Sequence, residues 1–219
     1  MPRVQTTVVE VDPQEPDPRV VESAAQVLRD GGLAVVPTDT VYGLVCDPGR
    51  PAAVDRIYRV KRRKRELPLS LLLNNMGEVA AYVEDPPEVA VRAMQQFWPG
   101  PLTIILGRCK ETAGAVRARR RSIGLRLPAH MVPRLVAGEA GFALASTSAN
   151  PSGQPSPVTG TEAARALSGL VEIVLDAGRA PLGQESTIVD FTLSPPRLLR
   201  EGALAVERIL EVVGSLDGP

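Results

Sequence analysis

The stretch RVKRRKRELPLSLLL, residues 59–73, decides how the rest of the chain is read. Six of its first seven residues are basic, and within a few positions the sequence becomes an apolar run ending at Leu73. Such a cluster repels itself, so it needs water, acidic neighbours or an anionic ligand. It can be the solvated end of a helix, where cations also suit the negative pole of the helix dipole. It can instead be a polyphosphate clamp, because Pro68 and the apolar residues 69–73 would hold fixed Lys and Arg against a rigid sheet edge. Charge alone leaves both readings open.

Working outward, residues 51–59 read as the helix that delivers the cluster and residues 69–73 as the strand that follows it. Upstream, residues 4–11 alternate as a strand and residues 20–28 have helical spacing ending at Gly31-Gly32. Residues 33–36 form a short apolar strand that runs into Pro37-Thr38-Asp39-Thr40-Val41-Tyr42-Gly43-Leu44. This segment puts hydroxyl and carboxyl side chains where a strand gives way to a loop, a place for ligand contacts or merely for an N-cap. Downstream, residues 76–82 and 87–97 read as helices, the second stopped by Trp98-Pro99-Gly100-Pro101. Residues 102–106 form a strand, and residues 122–128 alternate as an edge strand would, with Arg126 on the face of Ser122 and Gly124. An Arg there either snorkels to solvent or meets an anion. Residues 133–136 suggest a short helix. Residues 142–145 are a strand opening into a loop of small polar residues, 146–153, that suits phosphate or sugar. Residues 162–167 and 206–213 are helices, and residues 172–175, 187–190 and 197–200 are strands. The sum is an α/β fold: one domain over residues 1–219, with a twisted mixed sheet and flanking helices.

Composition narrows the chemistry. The chain has 219 residues, 44% hydrophobic and 23% charged, as expected of a globular protein. Lys plus Arg equals Asp plus Glu at 25 each, so the overall basic excess of a non-specific nucleic-acid binder is missing. Positive charge is local, around residues 59–65 and 117–126. Cys46 and Cys109 are too few for a disulfide scaffold and read as reduced thiols. No apolar segment is long enough to span a bilayer and the start lacks a signal-peptide core, which points to the cytoplasm. His130 is the single histidine, in a setting that reads as a turn into a helix, so a Ser-His-Asp triad has little to build on. No Cys/His spacing suits zinc, and neither the P-loop nor the dinucleotide glycine pattern occurs.

Seven segments in order resemble the YrdC-like family of threonylcarbamoyl-AMP synthases: PTDTVYGL (37–44), Lys61-x-Arg63 followed by Pro68-Leu69, FWPGPLT (97–103), IGLRLP (123–128), STSANPSG (146–153), ESTIVD (185–190) and LREGAL (199–204). The match covers about residues 20–204 and looks like the short form without an extra C-terminal domain. The resemblance implies a deep concave site on a twisted sheet. It implies a reaction in which L-threonine, bicarbonate and ATP give threonylcarbamoyl-adenylate and pyrophosphate, with magnesium travelling with ATP. Separate transferase proteins would then use the product to modify an adenosine of tRNA. It assigns Lys61, Arg63, Ser148 and Asn150 to the nucleotide phosphates and catalysis. Further nucleotide contacts would be Ser122, Ser156, Arg200 and the backbone near Leu67. The threonine pocket would use Thr40, Arg126, Ser146 and Ser186, with Arg126 facing the carboxylate. The mobile cover would be residues 152–159 or 111–121.

Two departures stand out: Lys64 and Leu67 replace the Pro and Asn of many members, and Leu72 stands where some place a threonine-contacting His. The KRRKR form is also similar to a YrdC-like paralogue group, although the S-x-N pair is intact here. From another class, an RNA-binding module fits the basic stretches, but an aromatic content of 3% leaves few stacking platforms. A YrdC-like carbamoyl-transfer segment of a larger maturation enzyme is a third reading.

Overall fold

Alternation along short strands, small and polar on one side and apolar on the other, shapes this architecture. The computed structural model describes residues 4–107, 116 and 122–218. In chain order the elements are β1 (Thr7–Glu10), α1 (Pro18–Arg29), β2 (Ala34–Val36), β3 (Gly43–Cys46), α2 (Pro51–Lys61) and β4 (Ser70–Leu72). A 3-10 turn (Met76–Glu78) then enters α3 (Val79–Tyr82), followed by α4 (Glu88–Phe97), β5 (Leu102–Leu106), β6 (Ile123–Arg126), α5 (Met131–Ala140) and β7 (Leu144–Ser148). The rest is α6 (Gly160–Leu167), β8 (Ile173–Asp176), β9 (Thr187–Asp190), β10 (Arg197–Arg200) and α7 (Val206–Val213). Helix starts follow local chemistry. Asp17 accepts from the N–H of Arg19 at 2.8 Å ahead of Pro18, and Thr159 accepts from the N–H of Glu162 at 3.2 Å. Gly31, at φ 83°, turns the chain out of α1. His130 caps α5, its Nδ1 accepting from the N–H of Val132 at 3.2 Å, so the lone histidine has a structural task.

The strands form one mixed sheet in the order β1-β8-β2-β3-β7-β4-β6-β5-β9-β10. The α/β fold class read from the sequence is therefore the one observed. One face packs the larger core: Leu44, Leu71, Ile104, Leu125, Ala145 and Val189 meet the inner faces of α2, α4, α6 and α7. On the other face α1 and α5 cover Ala34, Val45, Leu72, Leu144 and Ile173. Because side chains alternate, that second face also carries Ser70, Gly124, Arg126 and Ser146, one or two positions beyond the residues that α1 and α5 cover. No helix among the described residues is long and apolar enough to cross a membrane.

Five expectations change. Strand β6 is not an edge strand, because β4 and β5 pair with it on either side. Strand β4 is likewise internal, between β7 and β6, so the basic stretch abuts the middle of the sheet. Segment 146–148 is strand rather than loop, since Ser146 pairs with Val45 and with Ser70. Strand β3 was not anticipated, and α5 is ten residues long where a short helix was expected. Cys46 is a buried free thiol. Cys109, Arg117, Arg119, Arg120, Arg121 and the cover expected over 111–121 lie outside the described residues.

Candidate active site

The uncovered part of the second sheet face is the floor of a cavity of about 460 Å³. Small residues keep it open. Gly124 shows why: a Cβ there would stand 2.8 Å from Ser70 Oγ, closer than real contacts allow. Gly124→Val is expected to cut ligand affinity about tenfold or more while leaving a folded but less stable chain, since the added bulk crowds Ser70 and Thr103, which line the cavity, and pushes them into it. Calorimetric titration with nucleotide, alongside a melting curve, checks both halves.

Three hydrogen-bonded groups stand around this floor. In the first, Lys61 ends α2 and is 2% exposed. Its Nζ donates to Asn150 O at 2.7 Å, Asn150 Oδ1 at 3.1 Å and Ser148 Oγ at 3.4 Å, and also to Ser148 O. Ser148 Oγ donates to Asn150 Oδ1 at 2.5 Å, and Asn150 Nδ2 donates to Gln154 O at 2.5 Å. Arg62 follows in the left-handed region at φ 52°, reversing the chain so that Arg63 comes back over the cavity. Arg63 donates to Leu67 O at 3.0 Å and Pro68 O at 3.2 Å. Arg59, Arg62, Lys64 and Arg65 stay exposed. The basic stretch thus divides: Lys61 and Arg63 turn to the cavity, while the other four basic residues stay at the surface.

In the second group, Arg126 is 6% exposed and meets an anion supplied by the protein. It donates through Nη2 to Asp39 Oδ1 at 2.6 Å, through Nη1 to Thr40 Oγ1 at 2.8 Å and through Nε to Gly100 O at 3.1 Å. In the third, Arg200 of β10 holds Ser186, donating to its carbonyl through Nη2 at 2.8 Å and through Nε at 3.0 Å. Its Nη1 pairs with Glu185, whose other oxygen accepts from Ser156 Oγ at 2.6 Å. Thr103 and Ser186 share a 2.8 Å hydroxyl contact.

Burial, with Arg63 adding to it, pushes the Lys61 ammonium from 10.5 down to about 8. A bound polyphosphate would raise it again, so binding near pH 8 is expected to take up as much as about half a proton, falling to about a tenth at pH 7 where the lysine is already charged. Titrations of an ATP analogue in buffers of different ionisation enthalpy measure that uptake.

Of the residues the sequence singled out, Lys61, Arg63, Leu67, Ser148, Asn150, Arg200, Thr40, Arg126, Ser146 and Ser186 all line the one cavity. Ser122 and Ser156 do not: Ser122 sits just ahead of β6, and Ser156 turns its hydroxyl to Glu185.

Comparison with known proteins follows the same outline. A family profile for Sua5, YciO and YrdC proteins, described as telomere recombination, matches residues 26–202. The chain belongs to the Sua5/YciO/YrdC family. Among its relatives, the threonylcarbamoyl-AMP synthase of Pyrococcus abyssi is 34% identical over 90% of this chain and 58% of its own. A Mycobacterium leprae relative is 37% identical over 93% of both chains. The crystal structure of P. abyssi Sua5 complexed with L-threonine superposes with a TM-score of 0.90 at 31% identity, over 97% of this chain and 62% of that one. The chain thus spans less than two thirds of the first curated relatives it matches.

Within this Sua5/YciO/YrdC chain, sequence reasoning left several lining residues without a role, among them Thr38, Thr103, Glu185 and Ile188. All four lie inside the quoted motifs, and for Ile188, two positions after Ser186, alternation along the strand was a further usable signal. The two departures also have places. Leu67 is half exposed and serves through its carbonyl, which accepts from Arg63 and from the Tyr58 hydroxyl at 3.1 Å. Leu72 is buried at the junction of the cavity with the α1/α5 core.

Proposed function

We propose that this chain is an L-threonylcarbamoyladenylate synthase: L-threonine, bicarbonate and ATP give threonylcarbamoyl-AMP, pyrophosphate and water. The observation that supports this most is the convergence of Lys61, Arg63, Arg126 and Arg200 with Ser148, Asn150, Thr40 and Ser186 on one cavity floor. The threonine amine takes up the carbon of bicarbonate to form a carbamate, with loss of water. A carbamate oxygen then attacks the α-phosphorus, and the bond to the β-phosphate oxygen breaks with its electrons leaving on pyrophosphate. Little acid-base chemistry is needed, so positioning and cations facing the growing phosphate charge suffice without a histidine. Lys61, Arg63, Ser148 and Asn150 take the phosphates, Arg200 and the Leu67 carbonyl border the nucleotide, and Thr40, Arg126, Ser146 and Ser186 take threonine. The carbamate is labile in water, and segment 152–154, which lines the cavity, is placed to shield it.

Magnesium would enter with ATP. Glu185 is the carboxylate of the lining, and no three acidic, Cys or His side chains converge among the described residues. Phosphate and water oxygens would therefore supply most of its ligands. The product would pass to tRNA-modifying transferase proteins. The exposed Arg59, Arg62, Lys64 and Arg65 beside the cavity favour a second, weaker role in touching RNA, read out as a steep salt dependence of tRNA binding.

The test is incubation with ATP, threonine and labelled bicarbonate. Pyrophosphate and labelled adenylate should appear in equal amounts, and only with threonine present. ATP turnover indifferent to threonine, or none at all, refutes the assignment.

A further inference from the structure

The guanidinium of Arg126 is held by three protein acceptors, and one of them belongs to a carboxylate set back from the cavity. Asp39 is 6% exposed and is not among the lining residues. Its Oδ1 accepts from Arg126 Nη2 at 2.6 Å and from the backbone N–H of Ala129 at 3.1 Å, while Oδ2 is buried without a hydrogen-bond partner among the described residues. A buried ion pair adds little net stability, because desolvation offsets attraction. Its consequence lies in what it fixes.

Thr40 completes the arrangement. Thr38 Oγ1 gives its one proton to Val41 O at 2.6 Å, so in the 2.9 Å Thr38–Thr40 contact the Thr40 hydroxyl is the donor. Thr40 Oγ1 is then oriented to accept from Arg126 Nη1. Of the five N–H groups of Arg126, three are committed to Gly100, Thr40 and Asp39. Among the described residues, one N–H without a protein acceptor remains on each terminal nitrogen, leaving two donors for a carboxylate.

We propose that Asp39 is the positioning residue of the amino-acid half of the site: it pins Nη2 from behind, so that Arg126 offers the carboxylate of the substrate a fixed two-pronged donor. The proposal rests on the functional reading above. Asp39 does not touch the substrate and acts through Arg126. It also offsets the guanidinium charge, so that retention of the amino acid depends on geometry more than on net attraction.

Steady-state kinetics of adenylate formation by the full chain, Asp39→Ala and Asp39→Asn test this, with melting curves alongside. Asp39→Ala removes the acceptor, and KM for threonine should rise about tenfold or more while KM for ATP stays within about threefold. Asp39→Asn keeps an oxygen for Nη2 and for the Ala129 N–H, so KM for threonine should return to within about threefold of the parent chain. Asp39→Ala leaves a buried cation unpaired, so it can fail to fold; Asp39→Asn then decides alone. A threonine KM raised about tenfold in Asp39→Asn, or KM values for both substrates raised together by about tenfold in either variant, overturns the positioning role. A parent chain with no threonine-dependent turnover overturns the functional reading and this proposal together, whereas an active parent with an unaffected Asp39→Ala overturns this proposal alone.

Discussion

Lys61→Ala is expected to lower threonine-dependent adenylate formation about a thousandfold, the scale seen when a preorganised donor facing developing charge is removed. Two losses coincide in that variant. The cavity loses its most buried cation, and the oxygens of Ser148 and Asn150 lose the donor that holds them together. Three ammonium N–H groups have four oxygens within reach, so an incoming phosphate can displace one of them and gain the charge without a rearrangement of the loop. Lys61→Arg should not restore activity, because a planar fork cannot serve acceptors grouped around a point charge that is 2% exposed. Arg63→Ala, at a more accessible position, should cost about a hundredfold. Single-turnover pyrophosphate release measures all three, and circular dichroism shows whether the fold is kept. Normal ATP turnover by Lys61→Ala would mean that the phosphates bind elsewhere.

Arg126→Ala should produce the second largest effect, with the opposite selectivity: threonine binding weakened about a hundredfold and ATP binding by about threefold or less, the scale of a lost two-pronged carboxylate contact. The change also leaves Asp39 as an uncompensated buried carboxylate, so stability should fall by about 3–5 kcal/mol. Arg126→Lys separates the two consequences. It keeps a cation beside Asp39 and so keeps most of the stability, but the fork is gone and threonine KM should still rise about tenfold. Separate titrations with threonine and with an ATP analogue give the ratio; a larger loss for the nucleotide would reverse the division of the cavity.

The α/β class and most elements were legible because strand alternation and helix spacing are local properties. Strand β5 at Leu102–Leu106, β9 at Thr187–Asp190 and α7 at Val206–Val213 fall where the pattern places them. What the sequence hid depends on pairing between distant segments. Whether β6 is an edge or an interior strand is settled by β4 and β5 closing on it from both sides, which no local pattern encodes. Strand β3, Gly43–Cys46, is a nearly continuous apolar run after a polar segment, and periodicity has nothing to grip there. Segment 146–148 reads as loop because its hydroxyls are polar, yet those residues are strand whose side chains meet a cavity and not a core. The same long-range logic concealed the fates of the basic stretch. Nothing in KRRKR distinguishes Lys61, drawn under the 148–150 segment, from Arg65, which pairs with Asp55 at 2.7 Å in solvent. Asp39 looked like an N-cap or a ligand contact, and its actual partner lies 87 residues downstream.

The proposed reaction requires ATP and L-threonine to lie side by side on one sheet floor. A crystal structure of the chain soaked with a non-hydrolysable ATP analogue and L-threonine addresses this most directly. The account predicts phosphate oxygens within hydrogen-bond distance of Lys61 and Arg63, and the threonine carboxylate on the two remaining N–H groups of Arg126. Nucleotide or threonine bound outside this cavity, with Lys61 and Arg126 still donating only to their protein acceptors, would contradict it.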